Sequence, residues 1–201
     1  MNATRGSGTG GAGRARDASI DRRVLAAAAR QLAVSGYDAL SVAAIAAEAG
    51  TTRQALYRRW PGKAELAAAA MANIADPPRR NGTAAPFVEL VAELADFRRG
   101  VSQPGRLSLV GTMLQDSVEA DVRTRYQARV IAPRRRRLRS ILELARQHGL
   151  IDADADLEIV ITMATGSWYA CALAGDPPPR NWPQRTAQLL WRAAGGSLDP
   201  T

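Results

Sequence analysis

Residues 36–66 read GYDALSVAAIAAEAGTTRQALYRRWPGKAEL, and their spacing decides the fold. Ser41 stands where a hydroxyl can accept an orphan backbone N–H of an opening helical turn. Val42, Ile45, Ala46 and Ala49 follow three or four residues apart and make one apolar face. Gly50 marks the stop, because glycine enters the left-handed cap conformation without steric cost. Thr51 or Thr52 caps the next helix, which turns Arg53, Gln54, Tyr57 and Arg58 outward and leaves Ala55 and Leu56 to pack inward. A helix, a glycine-bearing turn and a second helix with long hydrogen-bonding side chains spell a helix-turn-helix, the motif that sets its second helix in the DNA major groove.

Side-chain chemistry assigns roles within that motif. Arg53 and Gln54 lie near the N-terminus of the second helix, where base edges are read; arginine suits guanine and glutamine suits adenine. Thr52 and Tyr57 can hydrogen-bond phosphate or touch a thymine methyl, and Arg58 shares their face. Ser41 and Lys63 open helices, whose N-termini favour anions. Tyr37 and Trp60 flank the motif and are expected in core or joint packing, with the Tyr37 hydroxyl also able to meet the DNA backbone.

The stretch resembles the N-terminal domain of the tetracycline-repressor (TetR) family of bacterial transcription regulators. The resemblance rests on Gly36-Tyr37, Leu40-Ser41-Val42, Ile45-Ala46, Ala49-Gly50, Thr52, Leu56-Tyr57, Trp60, Lys63 and Leu66. Thr51 replaces the family's usual small aliphatic residue, and Trp60 its commoner phenylalanine. The resemblance implies that Lys63, the sole lysine, contacts phosphate. It also implies an all-α protein: a three-helix helix-turn-helix domain followed by a C-terminal helical domain for ligand binding and dimerisation.

Charge follows the same division. The 201 residues carry a net +8; residues 1–63 hold nine arginines and Lys63 against Asp17, Asp21, Asp38 and Glu48, which is +6 of that total. Positive charge gathered beside a helix-turn-helix is the footprint of phosphate binding. Cys171 and His148 are each alone, so neither a disulfide framework nor a Cys/His zinc site can form, and no cofactor is expected. No secretion signal opens the chain, and the uncharged run 159–175 contains Thr162, Thr165, Gly166 and Ser167, which suits a buried helix rather than a membrane span. The expected location is the cytoplasm, with no membrane partner.

Three segments are expected. Residues 1–17 form a disordered basic arm whose Arg5, Arg14 and Arg16 either reach DNA or stay solvated. Residues 18–63 form the DNA-binding domain, its first helix running from about Ser19 to Ser35. Residues 64–201 form the helical regulatory and dimerisation domain. Within it a helix over 63–75 precedes a loop over 76–85, and further helices begin at Pro86 and near Leu107. A break falls between Gly100 and Gly105. A long helix over 119–147 is kinked or divided by Pro133, and its run Arg134–Arg137 is expected as a solvated face. Two last helices span about 154–174 and 184–194.

In the resembled family the last two helices pair with their symmetry mates, which would place Gly166, Ala170, Leu189, Leu190 and Trp191 in a homodimer interface. Two-fold symmetry then implies an approximately palindromic operator on double-stranded DNA. The regulatory half also resembles a subgroup of these regulators at Ala132-Pro133-Arg134-Arg135 and at Gly166 before Trp168-Tyr169, without naming a ligand. Phe87, Leu94, Leu109, Met113, Tyr126, Met163, Trp168 and Tyr169 are candidate linings of a cavity for a small hydrophobic effector, although the same spacing suits ordinary core. The reading is a sequence-specific transcriptional regulator, a repressor released by its effector. A helical small-molecule sequestering protein with incidental DNA affinity is the alternative. An enzyme is not expected: there is no Gly-rich phosphate loop, and one histidine and one cysteine offer little to build a catalytic site.

Overall fold

The computed structural model describes the backbone of residues 11–75, 85–103, 106–114 and 120–198. Ten α-helices and one π turn occupy them, and no strand occurs among the described residues. They are α1 (Gly11–Ser35), α2 (Val42–Glu48), α3 (Arg53–Arg59), α4 (Lys63–Ala75), α5 (Pro86–Val101), α6 (Arg106–Met113), α7 (Ala120–Tyr126), α8 (Ala132–Gln147), α9 (Leu157–Ala174) and α10 (Trp182–Ala193). The chain divides into two compact units, residues 1–74 with 107–126 and residues 75–106 with 127–201.

In the first unit α1 packs on α2 and α2 on α3. Val24, Ala28 and Leu32 of α1, with Ile45 of α2 and Leu56 of α3, are almost completely buried. These are the residues whose three- and four-residue spacing gives each helix one apolar stripe. Helix α1 begins at Gly11, not near Ser19, so residues 11–17 are helical where a disordered arm is expected from the sequence. Ala12, Arg14, Ala15 and Arg16 are strong helix formers, and adding a residue to an existing helix costs far less than nucleating one. Arg5 and the rest of the expected arm before Gly11 lie outside the described residues, as do residues 76–84 of the expected loop over 76–85.

In the second unit α5 packs against α8, α9 and α10. Leu90, Leu94, Phe97, Leu138, Leu142, Ile161, Trp168 and Leu190 belong to its apolar core. Helix α5 continues through Gly100 to Val101, so the first two residues of the expected break are helical. The expected division at Pro133 takes the form of a π turn over Gln127–Ile131, with Pro133 in the first turn of α8. Proline donates no N–H and its ring crowds the carbonyl four residues back, here that of Arg129; the wider π turn absorbs the misfit.

The arginine run is not a solvated face. Arg137 reaches both carboxylate oxygens of Glu93 at 3.1 Å, and Arg134 reaches one of them at 3.3 Å. Glu93 is 3% exposed, and a carboxylate that deep needs cations and hydrogen bonds to hold its charge. Arg135 instead pairs with Glu158 at 2.7 Å, and Arg136 stays exposed. Helical rotation thus deals four identical residues to three different environments.

Candidate nucleic-acid interface

The motif's local geometry follows from its caps. Ser41 Oγ accepts from the Ala44 N–H at 3.3 Å, and Thr52 Oγ1 accepts from the Ala55 N–H at 3.1 Å. Each such cap contributes about 1 kcal/mol. Between them α2 ends in a Schellman turn: the Thr51 N–H reaches the Ala46 carbonyl at 2.9 Å, and the Gly50 N–H reaches Ala47 at 3.1 Å. Gly50 sits at φ +67°, where a side chain would be strained. Thr52, not Thr51, is the residue that caps α3.

With that turn fixed, α3 has two unlike faces. Leu56 is buried, while Thr52, Arg53, Gln54, Tyr57 and Arg58 are exposed. Among the described residues no carboxylate pairs with Arg53 or Arg58. Two other arginines of the domain are spent internally: Arg59 turns back to Asp21 of α1, and Arg30 pairs with Glu48 of α2. These two ion pairs, which sequence spacing does not disclose, fasten α1 to the motif. Ser41 also lies exposed at the start of α2, its own N–H held by Gln31 Oε1 at 3.2 Å. Lys63 Nζ donates to the Asp38 carbonyl at 2.8 Å and stands over the buried Tyr37 ring. The expected DNA-contacting residues therefore lie on α3 and at the starts of α2 and α4.

The expected effector-cavity residues are divided. Leu94 and Trp168 are buried and Tyr169 partly buried in the second unit's core, where Trp168 and Tyr169 lie edge-on to Phe97 at 6.3 and 5.7 Å. Trp182 completes this cluster, 5.2 Å from Trp168. Sequence reading missed Trp182 by starting the last helix two residues late; the Pro183 beside it, in the helix's first turn, was the available signal. Phe87 packs against Trp191 at 5.4 Å. Met113 is buried and Tyr126 half-buried in the first unit, and the Leu109 side chain lies outside the described residues. Met163 is corrected: it is 49% exposed on the outer face of α9, away from the core-facing Ala164 and Trp168.

The interface residues divide as well. Gly166, Ala170 and Leu189 are exposed, but Leu190 and Trp191 are buried inside the protomer and cannot offer surface to a partner. Successive residues point about 100° apart around a helix, so Leu189 can face outward while its two neighbours enter the core. Ile159, Met163, Gly166, Ala170 and Leu173 form a continuous exposed stripe along α9. This stripe also corrects the expectation of a buried helix. Leu157–Ala174 is long and apolar enough to cross a membrane, yet only 28% of it is buried.

Comparison with known proteins bears on this arrangement. A model of the bacterial regulatory proteins of the tetR family matches residues 24–70. A second, for tetracyclin repressor-like C-terminal domains, matches residues 83–190, more than half of the chain. The chain belongs to the TetR family. It is a helix-turn-helix, DNA-binding transcriptional regulator. The HTH-type transcriptional regulator YdeS of Bacillus subtilis is 27% identical over 169 residues, covering 82% of this chain and 84% of its own. The HTH-type transcriptional regulator Rv1556 of Mycobacterium tuberculosis is 44% identical over 62 residues, covering 29% of this chain and 31% of its own. Among solved structures, a TetR transcriptional regulator from Agrobacterium tumefaciens has TM-score 0.69 at 19% identity, covering 89% of this chain and 95% of that one. The TetR family regulator SCO0332 has TM-score 0.62 at 23% identity, covering 87% and 98%. These structural likenesses speak for the TetR fold alone.

Proposed function

We propose that this TetR-family chain is a cytoplasmic repressor that holds an approximately palindromic operator as a homodimer and releases it on binding a small hydrophobic effector. The outward row Thr52, Arg53, Gln54, Tyr57 and Arg58, with two guanidinium groups lacking a carboxylate partner among the described residues, carries the operator reading. Ser41 and Lys63 add phosphate contacts at the starts of α2 and α4. Residues 18–63 are the operator-reading part, and residues 64–201 serve regulation and dimerisation without catalysis.

The dimer rests on the α9 stripe. Its four-three-four-three spacing is that of a helix seam, and Gly166 and Ala170 permit close approach. Leu189, 64% exposed, extends the same apolar surface from α10. The effector reading rests on the Phe97–Trp168–Tyr169–Trp182 cluster. Trp168 Nε1 is buried there with no acceptor among the described residues, and an effector offering an acceptor atom would satisfy it. An effector that binds one conformer better than another shifts the population by that difference, and operator affinity falls accordingly.

Selection of random duplex DNA on the purified protein at physiological salt tests the operator reading. An enriched palindrome supports a sequence-specific dimer. Recovery of DNA with no enriched sequence, or of a site without two-fold symmetry, refutes it.

A further inference from the structure

The end of α5 and the start of α10 flank an open cleft of about 470 Å³ lined by Arg98, Arg99, Ser102, Gln103, Arg180 and Gln184. Its lining has no carboxylate. The Arg98 guanidinium donates to the backbone carbonyl of Arg180, which ties the two segments together and fixes the aim of Arg98. Arg99 pairs with Asp96, which is only 5% exposed. That carboxylate matches one of the three guanidinium charges and leaves two. Among the described residues no carboxylate pairs with Arg98 or Arg180. Like charges held together at one concavity raise its positive potential and concentrate anions there.

We propose that this cleft binds a small molecule through a phosphomonoester group. A carboxylate brings two acceptor oxygens and one negative charge, whereas a phosphomonoester brings three acceptor oxygens and close to two negative charges. Those charges match the two unmatched arginines, and the Ser102 hydroxyl and the Gln103 and Gln184 amides supply neutral donors for the remaining acceptors. Ala95 and Pro183 give an apolar wall for the rest of the molecule. The volume lies within the usual range for small-molecule sites. The cleft shares no residue with the operator-reading row or with the Trp168 cluster, so it goes beyond the function proposed above and does not depend on it.

Calorimetric titration of the full chain with phenyl phosphate and with benzoate, at physiological salt, tests the site. Saturable binding of one phenyl phosphate per protomer, much tighter than benzoate, is expected. Arg98→Gln and Arg180→Gln should each weaken it about tenfold or more, the loss of a charge-assisted hydrogen bond. Arg98 also ties two segments together, so Arg98→Gln can cost folding; Arg180 contributes only its carbonyl to that tie, and Arg180→Gln keeps it. Gln184→Glu removes no arginine and should weaken binding by like-charge repulsion. Arg136→Gln, at an exposed arginine outside the cleft, and Arg53→Ala, on the operator-reading row, should leave binding unchanged. Absence of saturable binding, equal affinity for benzoate, or losses in the Arg136 or Arg53 variants equal to those at Arg180 would each overturn the proposal.

Discussion

The ammonium of Lys63 donates a 2.8 Å hydrogen bond to the carbonyl oxygen of Asp38, while lying 4.7 Å from the centre of the Tyr37 ring. This contact latches the first residue of α4 to the turn between α1 and α2. An ammonium has three N–H groups, so donation to Asp38 leaves two for a phosphate. One side chain can thus hold the domain together and touch DNA at once.

Replacement of Lys63 by alanine separates those roles. Binding to every sequence should weaken alike, and the salt dependence should lose about one unit of slope. The same change should lower stability by about 1 kcal/mol, through the lost hydrogen bond and the lost cation–ring contact. Urea midpoints and affinities across a salt series measure the two effects. A lower midpoint with an unchanged slope would make Lys63 a latch only.

Arg53→Ala and Gln54→Ala address sequence reading. Each should cost about 1–3 kcal/mol on the preferred operator and relax the choice of base at one position in each half-site. Competition assays against operators altered one base at a time read this directly. Equal losses on all sequences would move these side chains to phosphate contacts.

Met163→Glu tests the α9 seam. Met163 is half exposed and makes no part of the core, so the protomer should keep its fold. Two carboxylates brought together across a two-fold seam should weaken the dimer about 100-fold or more. Light scattering over a dilution series should then find monomers where the parent chain is dimeric. A variant that stays dimeric at every concentration would remove this face from the interface.

Tyr169 predicts an alkaline sensitivity. Burial raises its phenol above the ordinary value of 10.0, and the neighbouring Arg134 charge offsets only part of that rise. Below the unfolded value both states keep the proton, and the group adds no pH dependence. As pH climbs from there towards the folded value the unfolded chain loses its proton first, so stability falls. Tyr169→Phe should lack this component. The loss of urea midpoint between about pH 9 and about pH 11 should therefore be smaller in the variant; equal losses would contradict it.

The helix-turn-helix was legible because its determinants are local. Ser41, Gly50 and Thr52 act through backbone groups three to five residues away, and Leu56 is placed by helical period alone. The regulatory unit was less legible because its determinants are distant in the chain. Periodicity put Leu190 and Trp191 beside Leu189 in an apolar terminal helix, but which of them faces the core depends on α5 and α9. The Arg134–Arg137 run looked like surface because its partner, Glu93, lies 41 residues from Arg134. Helix α1 was cut short for a different reason: composition marks glycine-rich segments as unstructured, and the helix of Ser19–Ser35 nonetheless extends back into one.

In the homodimer proposed above, the stripe on α9 also governs how the regulator answers to its own abundance. An operator that requires two recognition helices is occupied by pairs of chains, not by single ones. While protomers are scarcer than the dimer's dissociation constant, the number of pairs grows as the square of the number of chains. In that proposed dimer a modest change in synthesis or degradation reaches the promoter amplified, and softening one contact along the stripe from Ile159 to Leu173 would move the chain abundance at which the operator fills.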